Sequence, residues 1–315
     1  MHITNSDDSS FGDNFRPLTQ FEQKALGATL RQIEPPHKLL KMTYQHTGCK
    51  IGILLLLFII LFAILCPLVS PYSYQEMHLT DKNVAPSMQH FFGTDDLGRD
   101  LCTRVAYGLR ISLTIGLIAA FLDMCIGILW GSISGYLGGA TDQIMMRIAD
   151  LIYSLPYLLA VILIAAWVGP GITSILTAMC LIGWIQMARL VRSQTLQTKQ
   201  YEYILAARAL GVHPLRIIVR HILPNISGVI VAMLMLTIPH AIFTEAFLSF
   251  LGIGIQPPLS SLGSMVSDAL PAMRFYPWRL FAPACTITLC ILAFNLIGDG
   301  LRDLLDPKTK PSYVS

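Results

Sequence analysis

Six stretches of this chain carry almost no charge over the length that a lipid bilayer demands, and nothing else in the sequence restricts the fold as much. Hydrocarbon about 30 Å thick calls for roughly 20 apolar residues rising about 1.5 Å each. The runs are Ile51 to Val69, Ile111 to Tyr136 (interrupted by Asp123), Leu151 to Val168, Ile172 to Ala188, Ile226 to Thr244 and Leu280 to Gly298. A barrel strand would alternate polar and apolar residues, and "IGILLLLFIILFAILCPLV" at 51–69 does not. Helices are then the way for its backbone to be satisfied in lipid. With 54% hydrophobic and 13% charged residues and a mean hydropathy of +0.59, the chain is too apolar for an ordinary soluble domain. The expected fold is an all-α membrane protein with six transmembrane helices.

Orientation follows from basic residues. Of the 22 lysines and arginines, sixteen fall on the side of the tails and of the segment from Arg189 to Arg220, and six (Lys82, Arg99, Arg104, Arg110, Arg274, Arg279) on the other. The richer face is expected in the cytoplasm, with both termini. This divides the chain into a tail over 1–50, a first transmembrane helix over 51–69, an extracytoplasmic loop over 70–110, a five-helix core over 111–302 and a tail over 303–315. The first apolar run starts only at Ile51, so it reads as an anchor rather than a signal peptide. A short piece from Pro36 to Lys50, with Lys38, Lys41 and Lys50, reads either as an amphipathic segment suited to the headgroup layer or as part of a disordered tail. The basic residues are scattered among apolar runs and form no continuous patch for nucleic acid. The seven cysteines show neither CxxC spacing nor a histidine cluster, so neither a disulfide framework nor a metal site is expected.

Between the fourth and fifth runs lies a polar, basic interruption, "YEYILAARALGVHPLRIIVRHILPN" at 201–225. Residues Tyr201 to Leu210 favour a helix with small alanine side chains on its surface. Gly211 suits the left-handed conformation that ends a helix, and Pro214 the first turn of a new one. The second piece is expected to run to Pro224, where the next membrane helix begins. A short helix, a rigid turn and a second helix on a membrane surface make a lever that moves the spans flanking it. The chain has no GxxxxGK[ST] phosphate loop, so the motor would be a partner.

This segment resembles the coupling loop of ABC importer permeases, whose pattern is Glu-Ala-Ala, three residues, Gly, nine residues, then Ile-x-Leu-Pro. Ala206, Ala207, Gly211, Leu223 and Pro224 match it, with Leu205 in place of the glutamate and His221 in place of the isoleucine. "FFGTDDLGRDLCTRVAYGLRISL" (91–113), "GYLGGATDQIMMRIADLIYSLP" (135–156), "SFLGIGIQPPLSSLG" (249–263) and "NLIGDGLRDLLDP" (295–307) look like the C-type permease subunit of dipeptide, oligopeptide and nickel importers. Leu262 stands where that family usually has tryptophan. The resemblance covers about 92–307 and implies a type I importer fold in a bacterial plasma (inner) membrane. It also implies ATPase coupling through Leu205, Ala206, Ala207, Arg208, Gly211 and Pro224 in the loop 201–224. The implied partners are a second permease subunit, two ATP-binding subunits and an extracytoplasmic substrate-binding protein, with ATP bound by those partners and no cofactor in this chain. No catalytic residue is expected, and the implied cargo is a peptide.

Other stretches have local readings. Leu97, Leu101 and Val105, with Asp95 before Arg99 and Asp100 before Arg104, predict an amphipathic helix over 94–109 on the outer surface. Thr141 or Asp142 is expected to cap the third helix, and Arg147 to pair with Asp150. Pro257 and Pro258 shape an outer loop, and Asp299, Arg302 and Asp303 are expected to form an ion network at the cytosolic edge. Asp123 and Glu245 are charges within apolar runs, which face a bundle interior or a water-filled path, and both are candidates for the substrate path. Glu245 has the alternative of the outer interface. Trp130, Trp167 and Trp184 are expected as interfacial anchors.

Two rivals stand beside the ATP-driven reading. A secondary transporter or channel would use intramembrane acids such as Asp123 and need no ATPase, but the chain shows no internal repeat. An intramembrane hydrolase lacks HExxH and GxSxG, since "GSISG" at 131–135 has isoleucine at its centre.

Overall fold

The computed structural model describes residues 46–305, and among them the regular structure is helical, with one isolated bridge between Thr94 and Asp100. Most of the amphipathic piece at 36–50 and nearly all of the C-terminal tail lie outside the described residues. The last residues of that piece, Thr47 to Lys50, instead form the first turn of helix α1, Thr47–Val69. Among the described residues, five helical stretches are long and apolar enough to cross a membrane, and a sixth arises if one bent pair counts as a single span. Six crossings would return the chain to the side on which it started.

Helix α1 buries only a narrow stripe of Cys49, Gly52, Ile59 and Ala63, while Leu54, Leu57, Phe58 and Leu61 face outward. In lipid such exposure costs nothing, because the surroundings are as apolar as the side chains. Pro67 lies inside α1 and has no N–H to offer the Ala63 carbonyl one turn back. Arg110 supplies the missing donor, its Nε reaching Ala63 O at 2.6 Å and its Nη2 reaching Ile64 O at 3.1 Å. The outer end of α1 is thus tied to α2, Leu101–Leu137.

The 37 residues of α2 extend about 56 Å, well beyond the hydrocarbon. The outer helix expected over 94–109 therefore exists only from Leu101, where it is continuous with the membrane span. Gly98, at φ +73°, breaks the preceding stretch. Asp100 does not pair with Arg104. It caps α2 by accepting from Thr103 N at 2.8 Å and meets His90 Nδ1 at 2.9 Å. Asp95 keeps its expected partner Arg99 (2.6 Å) and also faces Arg104 at 3.4 Å.

The run expected as one span over 151–168 is two helices. Helices α3, Gly139–Tyr153, and α4, Tyr157–Val168, meet at 79°. Pro156 cannot donate a helical hydrogen bond and disfavours α geometry at Leu155, so the chain turns there. With 12 residues, α4 reaches only about 18 Å. Helices α5, Ile172–Ile182, and α6, Trp184–Thr198, follow one another through Gly183, and the span continues ten residues past the expected end at Ala188.

After a short helix α7, Glu202–Ala209, comes α8, Pro214–Phe250, with 37 residues. Helix α9, Leu262–Ala269, opens on a capping box made by Ser261 and Ser264. Helix α10, Trp278–Leu305, then packs along α1. Between these helices Pro257 and Pro258 lie in a loop, joined by a cis peptide bond.

Helix α2 is the central post, and its closest neighbour is α6. Gly127, Gly131 and Gly135 recur every fourth residue and face α6 directly. A methyl group on Gly131 would sit 2.9 Å from Arg192 N, and one on Gly135 would sit 2.8 Å from Arg192 O. Small residues at this spacing let two backbones approach in a membrane, where apolar burial alone drives no association.

Candidate functional site

The elbow over 201–224 is built as a closed helix end followed by a rigid restart. Tyr201 precedes α7, and at the far end Val212 N donates to Ala207 O (3.1 Å) while Gly211 N donates to Arg208 O (3.0 Å). These two bonds form the Schellman arrangement, which requires a left-handed residue in the turn. Gly211 fills that place at φ +74°. The spacing of Ala207 to Gly211 thus has a mechanical cause. Ala207 is the residue whose carbonyl closes the turn, and its small side chain packs partly buried near Val212. His213 then caps α8, its Nδ1 accepting from Leu215 N at 3.3 Å, with Pro214 at the first helical position.

One expectation is corrected here. No new helix starts at Pro224, because α8 runs unbroken from Pro214 to Phe250. A proline inside an α-helix removes one hydrogen bond and collides with the carbonyl four residues back. Residues Ile218 to Ile222 avoid the collision by widening into a π turn, in which Leu223 N reaches Ile218 O, five residues back. The elbow and the membrane helix are therefore one rod.

The elbow has two faces. Ile204, Ile217, Ile218 and Ile222 are buried with Tyr136, Met187 and Val191 of α2 and α6. Arg208 stacks over Tyr136, 5.7 Å from the ring centre, and Lys199 Nζ donates to Gly135 O at 2.8 Å. On the other face Leu205, Ala206, Ala209 and Gly211 are exposed, as are Leu210 (83%), Leu215 (60%) and Val219 (57%). No side chain lies within 4 Å of the place where a Gly211 Cβ would be. Apolar residues this exposed on a polar, basic segment form a patch of the kind found at protein or membrane contacts.

Beside the elbow, α3 is clamped to α6. Asp142 accepts from Arg192 Nε (2.5 Å) and Nη2 (2.6 Å) and also from Ser134. Asp150 meets Arg189 at 2.9 Å. The expected cap and the Arg147–Asp150 pair are both absent, because the two arginines of α6 take the carboxylates and Gly138 precedes α3 without a side-chain cap. Sequence reasoning missed this clamp and the glycine stripe under it. The second was legible as Gly-x-x-x-Gly-x-x-x-Gly at 127–135, whereas nothing local pairs Asp142 with a residue fifty positions on. Near the C-terminal end of α10, Asp303 faces His46 Nε2 at 3.6 Å.

The two intramembrane acids occupy separate places. Asp123 on α2 is 4% exposed, presses on Gly183 at the α5–α6 break, and its Oδ1 has no hydrogen-bond partner. Glu245 on α8 is fully buried and accepts from Ser112 Oγ (2.7 Å) and Ser249 Oγ (2.8 Å), so it is not at an interface with water. Ser112 and Asp123 are eleven residues apart on α2, about 16 Å. Of the tryptophans, only Trp167 is exposed to its surroundings, at 90%. Trp184 is buried, which corrects its expected anchoring role, and it packs against the half-buried Trp130 with ring centroids 5.0 Å apart.

On the opposite end, Arg279 donates to Asn83 Oδ1 (3.0 Å) and meets Asp96 (3.3 Å), while Arg104 donates to Ser260 Oγ (3.1 Å). The first two bonds join the loop before α2 to α10, and the third joins α2 to the segment before α9. Burial pushes the nearby Asp268 carboxyl above the usual carboxylate range, against the pull of Arg104.

Residues 127–311 match the family model described as "binding-protein-dependent transport system inner membrane component", and residues 41–86 match "N-terminal TM domain of oligopeptide transport permease C". The chain is 52% identical to the oligopeptide transport system permease protein OppC of Bacillus subtilis over 260 residues, 82% of this chain and 85% of that one. It is 50% identical to the dipeptide transport system permease protein DppC of the same organism, covering 82% and 81%. With OppC of Escherichia coli K12 the identity is 44%, covering 85% and 89%. Among solved structures, the MetNI methionine ABC transporter in inward facing conformations shares the fold, with a TM-score of 0.52, 16% identity and coverage of 63% of this chain and 94% of that one.

Proposed function

The chain belongs to the family of binding-protein-dependent transport system inner membrane components, and on that premise we propose that residues 201–224 are the lever through which partner ATPases drive it. It is a multi-pass protein of the bacterial inner membrane, a permease subunit that forms part of the pore of an ATP-driven importer. The relatives named for oligopeptides and dipeptides make peptides its cargo. The finer assembly is a second permease subunit completing the pore, two ATP-binding subunits at its cytosolic face and a substrate-binding protein outside. The chain itself contributes helices and a lever, with no bond-breaking chemistry.

The observation that carries the lever is the elbow's two-faced build. Exposed Leu205, Ala206, Leu210 and Leu215 present a contact surface. The rod to which it is fused extends about 56 Å, from that surface through the membrane. Arg208, bound over Tyr136, holds the elbow to α2, so movement at the surface would be passed to α2 and α8 together. Gly211→Arg places a bulky charged side chain in a backbone conformation that L residues rarely adopt. The complex is expected to assemble in membranes while peptide uptake and transport-stimulated ATP hydrolysis are lost. Normal ATP-driven uptake by this variant would refute the lever.

Of the two intramembrane acids, Asp123 is the better candidate to meet cargo, because its carboxylate has an unpartnered oxygen whereas Glu245 is held by two serines. Asp123→Asn is expected to slow uptake of peptides with a free amino terminus more than uptake of their acetylated forms. Equal slowing of both would remove Asp123 from the substrate path and leave it a structural acid.

A further inference from the structure

The seven cysteines look unrelated along the chain, yet the fold brings two of them together. Cys66 Sγ and Cys102 Sγ are 3.4 Å apart, and among the described residues no other two cysteine sulfurs are in contact. Cys66 lies one turn before the end of α1 and Cys102 is the second residue of α2, so the pair sits where both helices reach the same membrane surface. The surrounding contacts fix that meeting. Thr103 Oγ1 donates to Ser70 Oγ at 2.8 Å on one side of the pair, and Arg110 holds the Ala63 and Ile64 carbonyls on the other.

We propose that Cys66 and Cys102 are a disulfide-forming site that clasps the outer end of α1 to the first turn of α2. A disulfide has its sulfurs about 2.05 Å apart, so the two thiols, 3.4 Å apart, must close by roughly 1.4 Å, a distance on the scale of side-chain rotation. The charge distribution places this end outside the cytoplasm, where disulfides form and persist, and the site rests on that orientation.

The chemistry needs a two-electron oxidant, and a disulfide-bearing oxidant R–S–S–R′ suffices. Cys66 is part-exposed and Cys102 is 9% exposed, so Cys66 is the attacking thiol. Its thiolate bonds to one sulfur of the oxidant and releases R–S⁻. Cys102 then attacks Cys66 Sγ in that mixed disulfide and releases R′–S⁻. The two protons from the cysteines end on the released thiolates, so one disulfide is reduced to two thiols as another is made.

The experiment uses the whole permease complex in membrane vesicles of known sidedness, treated with a membrane-impermeant aromatic disulfide oxidant and then denatured for thiol counting. Right-side-out vesicles are expected to lower the free thiols of this chain from seven to five. Digestion should give one linked pair of peptides carrying residues 66 and 102. Cys66→Ser and Cys102→Ser should each prevent the linked product, and neither should alter ATP-driven uptake. Seven thiols remaining, or a linkage between other cysteines, would overturn the site. Linkage in inverted vesicles alone would overturn its placement on the outer face. Because uptake is not the measured signal, either failure is distinct from failure of the elbow as a lever.

Discussion

At the scale of single residues, several contacts reverse what local sequence suggests. Arg110 was legible only as one of six basic residues on the poorer side of the membrane, yet its guanidinium replaces the hydrogen bond that Pro67 denies to Ala63. Arg110→Leu leaves two backbone carbonyls of α1 without this partner and is expected to destabilise the protein by about 1–3 kcal/mol. A lowered unfolding temperature of the detergent-solubilised complex, with Arg110→Lys recovering only part of it, would bear this out. Asp100 and Asp142 show why pairing is hard to read from spacing. Each has an opposite charge four or five residues away, and each is taken instead by a group from elsewhere, His90 and Arg192. Asp95 does keep Arg99, four residues on, although Gly98 keeps that stretch from being helical, so acid-first spacing alone does not tell which pairs form.

At the scale of elements, the apolar runs located the five helices among the described residues long enough to cross a membrane, because burial in lipid leaves a signal as long as the helix itself, while the run at 151–168 fell on a bent pair. Breaks and extensions were less visible. Pro156 had the character of a helix breaker, but lay inside an apolar run long enough to suggest one span. Pro224 had the same character and breaks nothing, because the π turn at 218–222 absorbs it. Pro224→Ala would let this stretch return to α register, rotating the elbow by about 100° relative to the rest of α8. That variant is expected to assemble and hydrolyse ATP while moving less peptide per ATP, measured by uptake and phosphate release on the same vesicles. The glycine stripe sets a different limit. Gly131→Leu would drive a side chain into the backbone at Arg192 and Ala188, and it is expected to reduce the folded, membrane-extracted protein rather than transport alone.

At the scale of the whole molecule, the elbow, the clamp and the central post form one mechanical path. The elbow packs on Tyr136 near the C-terminal end of α2, and α2 is joined to α6 along its glycines. Glu245 ties α8 to the other half of α2 through Ser112. The elbow thus connects without a flexible joint at Pro224 to both halves of α2, through Tyr136 at one end and through α8 and Ser112 at the other. The frame of Ala206, Ala207 and Gly211 was legible in sequence because a closed helix end needs a glycine at a fixed distance from the carbonyls it satisfies. The buried surroundings of Asp123 and Glu245 were not, because they depend on Gly183, Ser112 and Ser249 meeting them across the bundle.

The most direct test places a photo-crosslinking amino acid at position 206 in the assembled, nucleotide-fed complex and measures what it captures. Capture of an ATP-binding subunit, with a yield that changes between the nucleotide-free and ATP-bound states, is the expected result. Capture of only the external binding protein or lipid, with ATP-driven uptake intact, would contradict the lever.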